Sequence, residues 1–203
     1  IREVGQAAYG LLPVDSGEVS LPTHNVSIGN PYQALQNRVA YVPKDRDGEA
    51  LMMGASIQNN FCLPSVETLK GRFGFLSPKK LYQASSKARE QFSVKSTGVD
   101  QLMRALSGGN KQKVNLGRWL IKDLDVLIVD CPTRGVDIGV KAYIYQCLRE
   151  AKEKGMAILL ITDELSEVLG MADTIAVMKD GEICKLLPRS AELSEETIIE
   201  VMT

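Results

Sequence analysis

Long apolar runs are the first thing this 203-residue chain lacks. Its longest, Met156 to Ile161, falls far short of the ~18 residues of a membrane helix, so a soluble chain is expected. Charge of one sign is also missing: Lys+Arg 24 against Asp+Glu 25 leaves a formal net charge of -1. No global field then draws the chain to a phosphate backbone or an anionic bilayer, which argues against nucleic acid as a partner. Cysteine is sparse, with 4 residues at positions 62, 131, 147 and 184 and no CxxC spacing. That pattern argues against a disulfide framework and a zinc site, and it suits a reducing, cytosolic setting. Histidine occurs once, His24 in a Thr-His-Asn turn, and reads as a surface polar residue with no catalytic role. There is no initiator methionine and no basic-then-apolar leader; Ile1-Arg2-Glu3-Val4 reads as the inside of an element, as in an excised segment. No GxxxxGK[ST] occurs in the chain either, so a phosphate-cradling loop of that kind is absent from it.

What is present describes one or at most two globular domains, with 44% hydrophobic and 24% charged residues. In the second half, short aliphatic runs alternate with longer amphipathic segments, the pattern of βαβ units around a mostly parallel sheet. Val126-Leu127-Ile128-Val129, Ala157 to Ile161 and Thr174 to Met178 read as buried strands, because continuous hydrophobicity is expected where helices cover both faces. A helix from about Val140 to Lys154 sets Ile144, Cys147, Leu148 and Ala151 on one stripe and ends at Gly155. The first 60 residues differ: a short helix to Tyr9-Gly10, antiparallel strands within Glu18 to Ile28, and another strand over Arg38 to Val42. From Ser56 to Ala105 the pattern turns helical and more polar, broken by Pro64, Gly71, Gly74 and Pro78, as in an inserted helical subdomain.

The most specific string is Leu106-Ser107-Gly108-Gly109-Asn110-Lys111-Gln112-Lys113-Val114. Two glycines after a serine let backbone approach a ligand, and a helix over Asn110 to Lys122 aims its free N–H groups and dipole at an anion. An ordinary helix start is the bland alternative for the loop alone. Asp130, at the carboxyl end of a buried strand, stands at the edge where open α/β sheets bind ligands; its bland alternative is a cap.

The string resembles the signature of ATP-binding cassette (ABC) proteins, and Val126 to Asp137, reading VLIVDCPTRGVD, looks like their Walker B strand and D-loop. The wording TRGVDIG, with Ala40-Tyr41-Val42-Pro43-Lys44-Asp45-Arg46 and Ile161-Thr162-Asp163-Glu164-Leu165, is similar to the second of two fused cassettes in sugar-import proteins of the ribose, galactose and autoinducer type. The resemblance runs from Ile1 to about Leu187. It implies an α/β fold: a RecA-like P-loop NTPase core of mostly parallel sheet (1–55 and 106–203) with an antiparallel β part, and a helical subdomain (56–105). It also implies that the chain is cut at its phosphate-loop strand.

The departures carry as much as the matches. Against the family pattern, Ile1 stands where a Lys or Arg would close the phosphate loop, Lys44 replaces the Q-loop glutamine, Cys131 the catalytic glutamate, and Asp163 the switch histidine. A thiol with a pKa near ~8.5 substitutes poorly for a water-orienting carboxylate. Ser107, Gly108, Gly109 and Asp137, which a cassette presents to its partner's ATP, are kept. The resemblance therefore implies ATP and Mg as cofactors, with Gln112 and Lys44 also on the nucleotide side and Asp130 a weak Mg ligand. The expected partners are a second cassette, fused in the native chain, transmembrane permease subunits and, indirectly, a solute-binding protein, at the cytoplasmic face of the inner membrane. A competent ATPase cut at a boundary, a purely structural dimerisation cassette, and a cassette protein acting on nucleic acid are the alternatives. Trp119 reads as core beside Leu116 and Leu120, Met52-Met53 as core or partner contact, and Lys111 and Lys113 as a solvated helix face.

Overall fold

The computed structural model describes residues 1–22, 24–190 and 193–202; Thr23, of the His24 turn, lies outside them. Helix α1 (Arg2–Ala8) leads into the short antiparallel pair β1 (Ser20–Leu21) and β2 (Val26–Ser27), then α2 (Pro31–Gln36) and β3 (Val39–Val42). Helix α2 starts where Asn30 accepts a hydrogen bond from the Gln33 amide and Pro31 presets the first turn. After β3 a π-helical turn, Arg46–Ala50, precedes α3 (Ile57–Cys62), α4 (Val66–Leu69) and α5 (Pro78–Gln91). The long helix α6 (Gly108–Leu120) is followed by β4 (Val126–Asp130), α7 (Ile138–Glu153) and β5 (Ala157–Ile161). The chain then runs through α8 (Leu165–Met171), the hairpin β6 (Thr174–Lys179) and β7 (Glu182–Pro188), and α9 (Glu195–Met202).

The central sheet is parallel, in the order β3-β4-β5. All four residues of β3 are buried, as are Leu127, Ile128 and Val129 of β4, because elements cover the middle of the sheet on both faces. On one face Ala40, Val42, Leu127 and Val129 pack with Leu116, Trp119, Ile144 and Leu148; on the other, Tyr41, Ile128 and Ile161 pack beneath Ala8 and Tyr9. Trp119 is therefore core, and α7 carries the expected stripe, with Cys147 packed at its margin.

Two strands depart from the expected burial. Strand β5 lies at the sheet edge and leaves Leu159 39% exposed, beyond the cover of α1. Strand β6 is not part of the parallel sheet. Asp180 (φ +50) and Gly181 (φ +89) make a two-residue turn with both central residues left-handed, which returns the chain antiparallel as β7. A two-stranded ribbon has one covered face, so Ile175 and Val177 are buried against Leu165, Val168 and Ile198 while Thr174 and Ala176 are exposed.

Helices α3 to α5 enclose a second core with α6: Ile57, Phe61, Ala88, Phe92, Met103 and Val114. The Phe61 and Phe92 rings stack with centroids 6.4 Å apart. Met53 packs on this core, whereas Met52 is exposed. His24 is not an isolated surface group: its Nε2 lies 2.6 Å from Asp125 Oδ2, which pins the β1–β2 turn to the start of β4.

Candidate functional site

Parallel register brings the carboxyl ends of β3, β4 and β5 to one edge. Lys44 follows β3 by two residues, Asp130 closes β4, and Asp163 follows β5 by two. The structure thus assembles four of the positions singled out in the sequence, Cys131 being the residue after Asp130. Lys44 Nζ and Asp163 Oδ2 form an ion pair at 3.5 Å, so the two replacements face each other. With Asp163 76% exposed, the pair contributes at most about 1 kcal/mol; what it changes is the charge at the site.

Asp130 is 2% exposed. Its Oδ2 accepts the Tyr41 hydroxyl at 3.4 Å and lies 3.9 Å from Arg2 Nε. Arg2 Nη2 also donates to both carboxylate oxygens of Glu49, and that contact holds the guanidinium more firmly charged than usual. Burial and the Asp130 charge push the Tyr41 hydroxyl up to about 12, so it stays a donor. Cys131 has φ +46, a left-handed conformation uncommon for a side-chain-bearing residue, and its amide donates to the Ile161 carbonyl at 2.8 Å. Burial, then Asp130 and Asp163, push its thiol upward. At neutral pH it is a protonated thiol, unable to act as a base.

The second group lies at the start of α6. Ser107 is exposed and its hydroxyl accepts the Asn110 amide at 2.9 Å, while Gly108 and Gly109 open the helix. A Cβ on Gly109 would stand 2.7 Å from Val140 Cγ2, so close packing favours glycine there, whereas one on Gly108 would stand 3.2 Å from Arg46 Nη2, the end of a side chain that can move. Gln112 is 4% exposed and donates to the Pro132 carbonyl at 2.6 Å, tying α6 to the segment after Asp130. Asp137 is exposed but accepts the Val140 amide at 2.9 Å, capping α7. Lys111 and Lys113 are engaged as well as solvated: Lys111 pairs with Asp47 at 2.9 Å, and Lys113 sits 4.5 Å from the Tyr143 ring centroid.

Sequence reading missed Arg2, Tyr41 and Glu49 around Asp130, and the buried hydrogen bond from Thr133 to Glu167 at 3.0 Å. A signal existed for Arg2. In a GK[ST] motif the residue after the lysine supplies a metal-binding hydroxyl; with Ile1 in the lysine place, that position is Arg2.

A magnesium ion in such folds rests between that hydroxyl and the aspartate ending the Walker B strand. These residues do not fit it. On the alignment the resemblance implies, Arg2 stands in the hydroxyl's place with its Nε 3.9 Å from the aspartate oxygen, whereas magnesium requires converging oxygen donors. Among the described residues, no three His, Cys, Asp or Glu side chains gather to hold a metal.

A parallel sheet ending in Asp130, a Ser-Gly-Gly loop opening a long helix, and an inserted helical part define the ATP-binding cassette class, a RecA-like P-loop NTPase fold. Solved structures agree: a nucleotide-free ATP-binding cassette from an ABC transporter aligns over 98% of this chain and 81% of its own, with TM-score 0.78 and 22% identity. A dimeric cassette in a post-hydrolysis state bound to ADP and Pi aligns over 93% and 80%, with TM-score 0.78 and 18% identity. The family described as ABC transporter matches residues 5–134, and the chain belongs to that family. It is 37% identical over 201 residues to the ribose import ATP-binding protein RbsA of Lactococcus lactis, covering 99% of this chain and 40% of that protein. It is 38% identical over 203 residues to a putative ribose/galactose/methyl galactoside import ATP-binding protein of Agrobacterium fabrum, covering 99% and 40%. The chain thus spans about 40% of the length of these relatives.

Proposed function

We propose that this chain is a cassette of a sugar or similar small-solute importer that completes its partner's ATP site and does not run one of its own. The observation that carries this reading is a contrast. The Ser107-Gly108-Gly109 loop is intact and its serine exposed, while at the sheet edge Lys44 is paired with Asp163 beside a protonated Cys131. Hydrolysis of ATP by the assembly then takes place between the partner's phosphate loop and this chain's signature. The Ser107 hydroxyl and the amides opening α6 present donors to the γ-phosphate, where preorganised donors count most as charge moves in phosphoryl transfer. Gln112, anchored on Pro132, holds that helix start in place, and Asp137 stiffens the adjoining turn.

Magnesium would accompany ATP at the partner's site. The names of the relatives support a sugar as cargo, and their length, of which this chain spans 40%, leaves room for a second cassette in the same polypeptide; permease subunits and, through them, a solute-binding protein complete the reading. The reading includes a peripheral position on the cytoplasmic face of the inner membrane and an isolated chain that does not hydrolyse ATP by itself. No helix among the described residues is long and apolar enough to cross a membrane.

Vanadate trapping of a photoreactive ATP analogue in the assembled importer tests this reading. Trapped label should sit on the partner cassette, with this chain's own sheet edge unlabelled. Label trapped on this chain would defeat the proposal.

A further inference from the structure

Three charged side chains sit where a working cassette has neutral or metal-binding groups: Arg2, Lys44 and Asp163. They do not repel one another out of the site. Arg2 reaches from α1 to Asp130 on one side and Glu49 on the other, and Lys44 reaches from the end of β3 to Asp163 beyond β5. Asp130 is 2% exposed, and a carboxylate so far from water needs a compensating charge or donor. A divalent ion supplies that charge in a metal-dependent site. Here a guanidinium and an ammonium are covalently part of the chain, at an effective concentration no free ion matches.

We infer that Arg2, beside Asp130, and Lys44, paired with Asp163 at the same sheet edge, are built-in counter-cations that take the place of a divalent metal. The sheet edge then stays charge-compensated and folded without metal. Arg2 lies between Asp130 and Glu49, and Lys44 pairs with Asp163, so each cation is already matched by a carboxylate rather than open to a γ-phosphate, and those carboxylates are engaged rather than open to a metal. This deepens the reading of a cassette without a working site of its own. It predicts a gain rather than a loss: with Lys44 neutralised and a serine hydroxyl in place of the Arg2 guanidinium, Asp130, that hydroxyl and water should be able to hold an ion.

The probe is Mn2+ alone, titrated into the chain without nucleotide and followed by loss of the free-ion electron paramagnetic resonance signal. Wild type should bind no ion at this centre. The Arg2→Ser/Lys44→Gln double variant should bind one, at least tenfold tighter than any wild-type binding, and Asp130→Asn in that background should remove the gain. Arg2→Lys with Lys44 kept should behave as wild type, since the charge is retained. Thermal unfolding followed by circular dichroism, with and without Mn2+, provides the second readout: the double variant should be stabilised by the ion and wild type should not. Stoichiometric Mn2+ binding by wild type that Asp130→Asn abolishes would overturn the inference, as would a folded double variant that gains no binding. A double variant that does not fold without metal yet folds with it supports the inference, and one that folds under neither condition while Arg2→Ser alone folds and gains no ion overturns it. None of these results bears on where trapped nucleotide sits in the importer, so this inference and the proposed function fail separately.

Discussion

At the scale of single residues, the sheet edge is several coupled replacements rather than one missing carboxylate. Cys131 holds the place of a water-orienting glutamate, but it shares the edge with the Lys44–Asp163 pair and with Arg2 against Asp130. A base is useful only where the reacting phosphate and water are already positioned. Cys131→Glu should therefore leave phosphate release from this chain at background; release well above the wild-type chain would make Cys131 the sole defect. Each replacement was legible in the sequence, because Asp130 ends an aliphatic run and the motifs around it have fixed spacing. Their pairing was not. Lys44 and Asp163 lie on loops after β3 and β5, separated by β4, and only strand order shows that opposite charges meet. Nor was the inward turn of Gln112 legible: its position in the signature string says nothing about which side of α6 it faces, and the helix turns it onto Pro132.

At the scale of elements, α6 links the two cores. Its inner face carries Leu116 and Trp119 against the parallel sheet and Val114 against the helical part. Gly117 sits where the helix meets the aromatic pair: an added Cβ would stand 2.7 Å from Phe92 Cδ2 and 3.1 Å from Phe61 Cε1. Alanine normally favours a helix, but here rings close to rigid backbone must move, and overpacking of that kind costs about 1–3 kcal/mol. Gly117→Ala should lower the urea midpoint by a matching amount with an unchanged slope, and an unchanged midpoint would mean the two cores yield easily at their junction. The long periodic helices and the sheet strands β3 to β5 were readable because burial on both faces leaves continuous aliphatic runs. The end of the chain was not. Strand β7 is exposed over most of its length, and β6 has the composition of a core strand although it lies in a two-stranded ribbon. Only the Asp180-Gly181 turn distinguishes the two cases.

At the scale of the whole molecule, the chain separates what it offers from what it keeps closed. Ser107 of the signature loop and Asp137 are exposed, Gly108 and Gly109 are half-buried, and Ile138 beside Asp137 is 86% exposed. The Asp130 centre is compensated from within by Arg2 and Tyr41. If function resides in what is offered, mutations at the two places must differ in consequence. The most direct measurement is phosphate release by the reconstituted importer, with permease subunits present, comparing Ser107→Arg with Asp130→Asn side by side. Losing one preorganised donor typically costs about 10²–10³ in rate, and an arginine at position 107 also obstructs the approach of the partner's phosphate. The account predicts that Ser107→Arg abolishes ATPase activity, while Asp130→Asn lowers it only modestly. An importer silenced by Asp130→Asn and left near wild type by Ser107→Arg would contradict it, because this chain would then hold the working site.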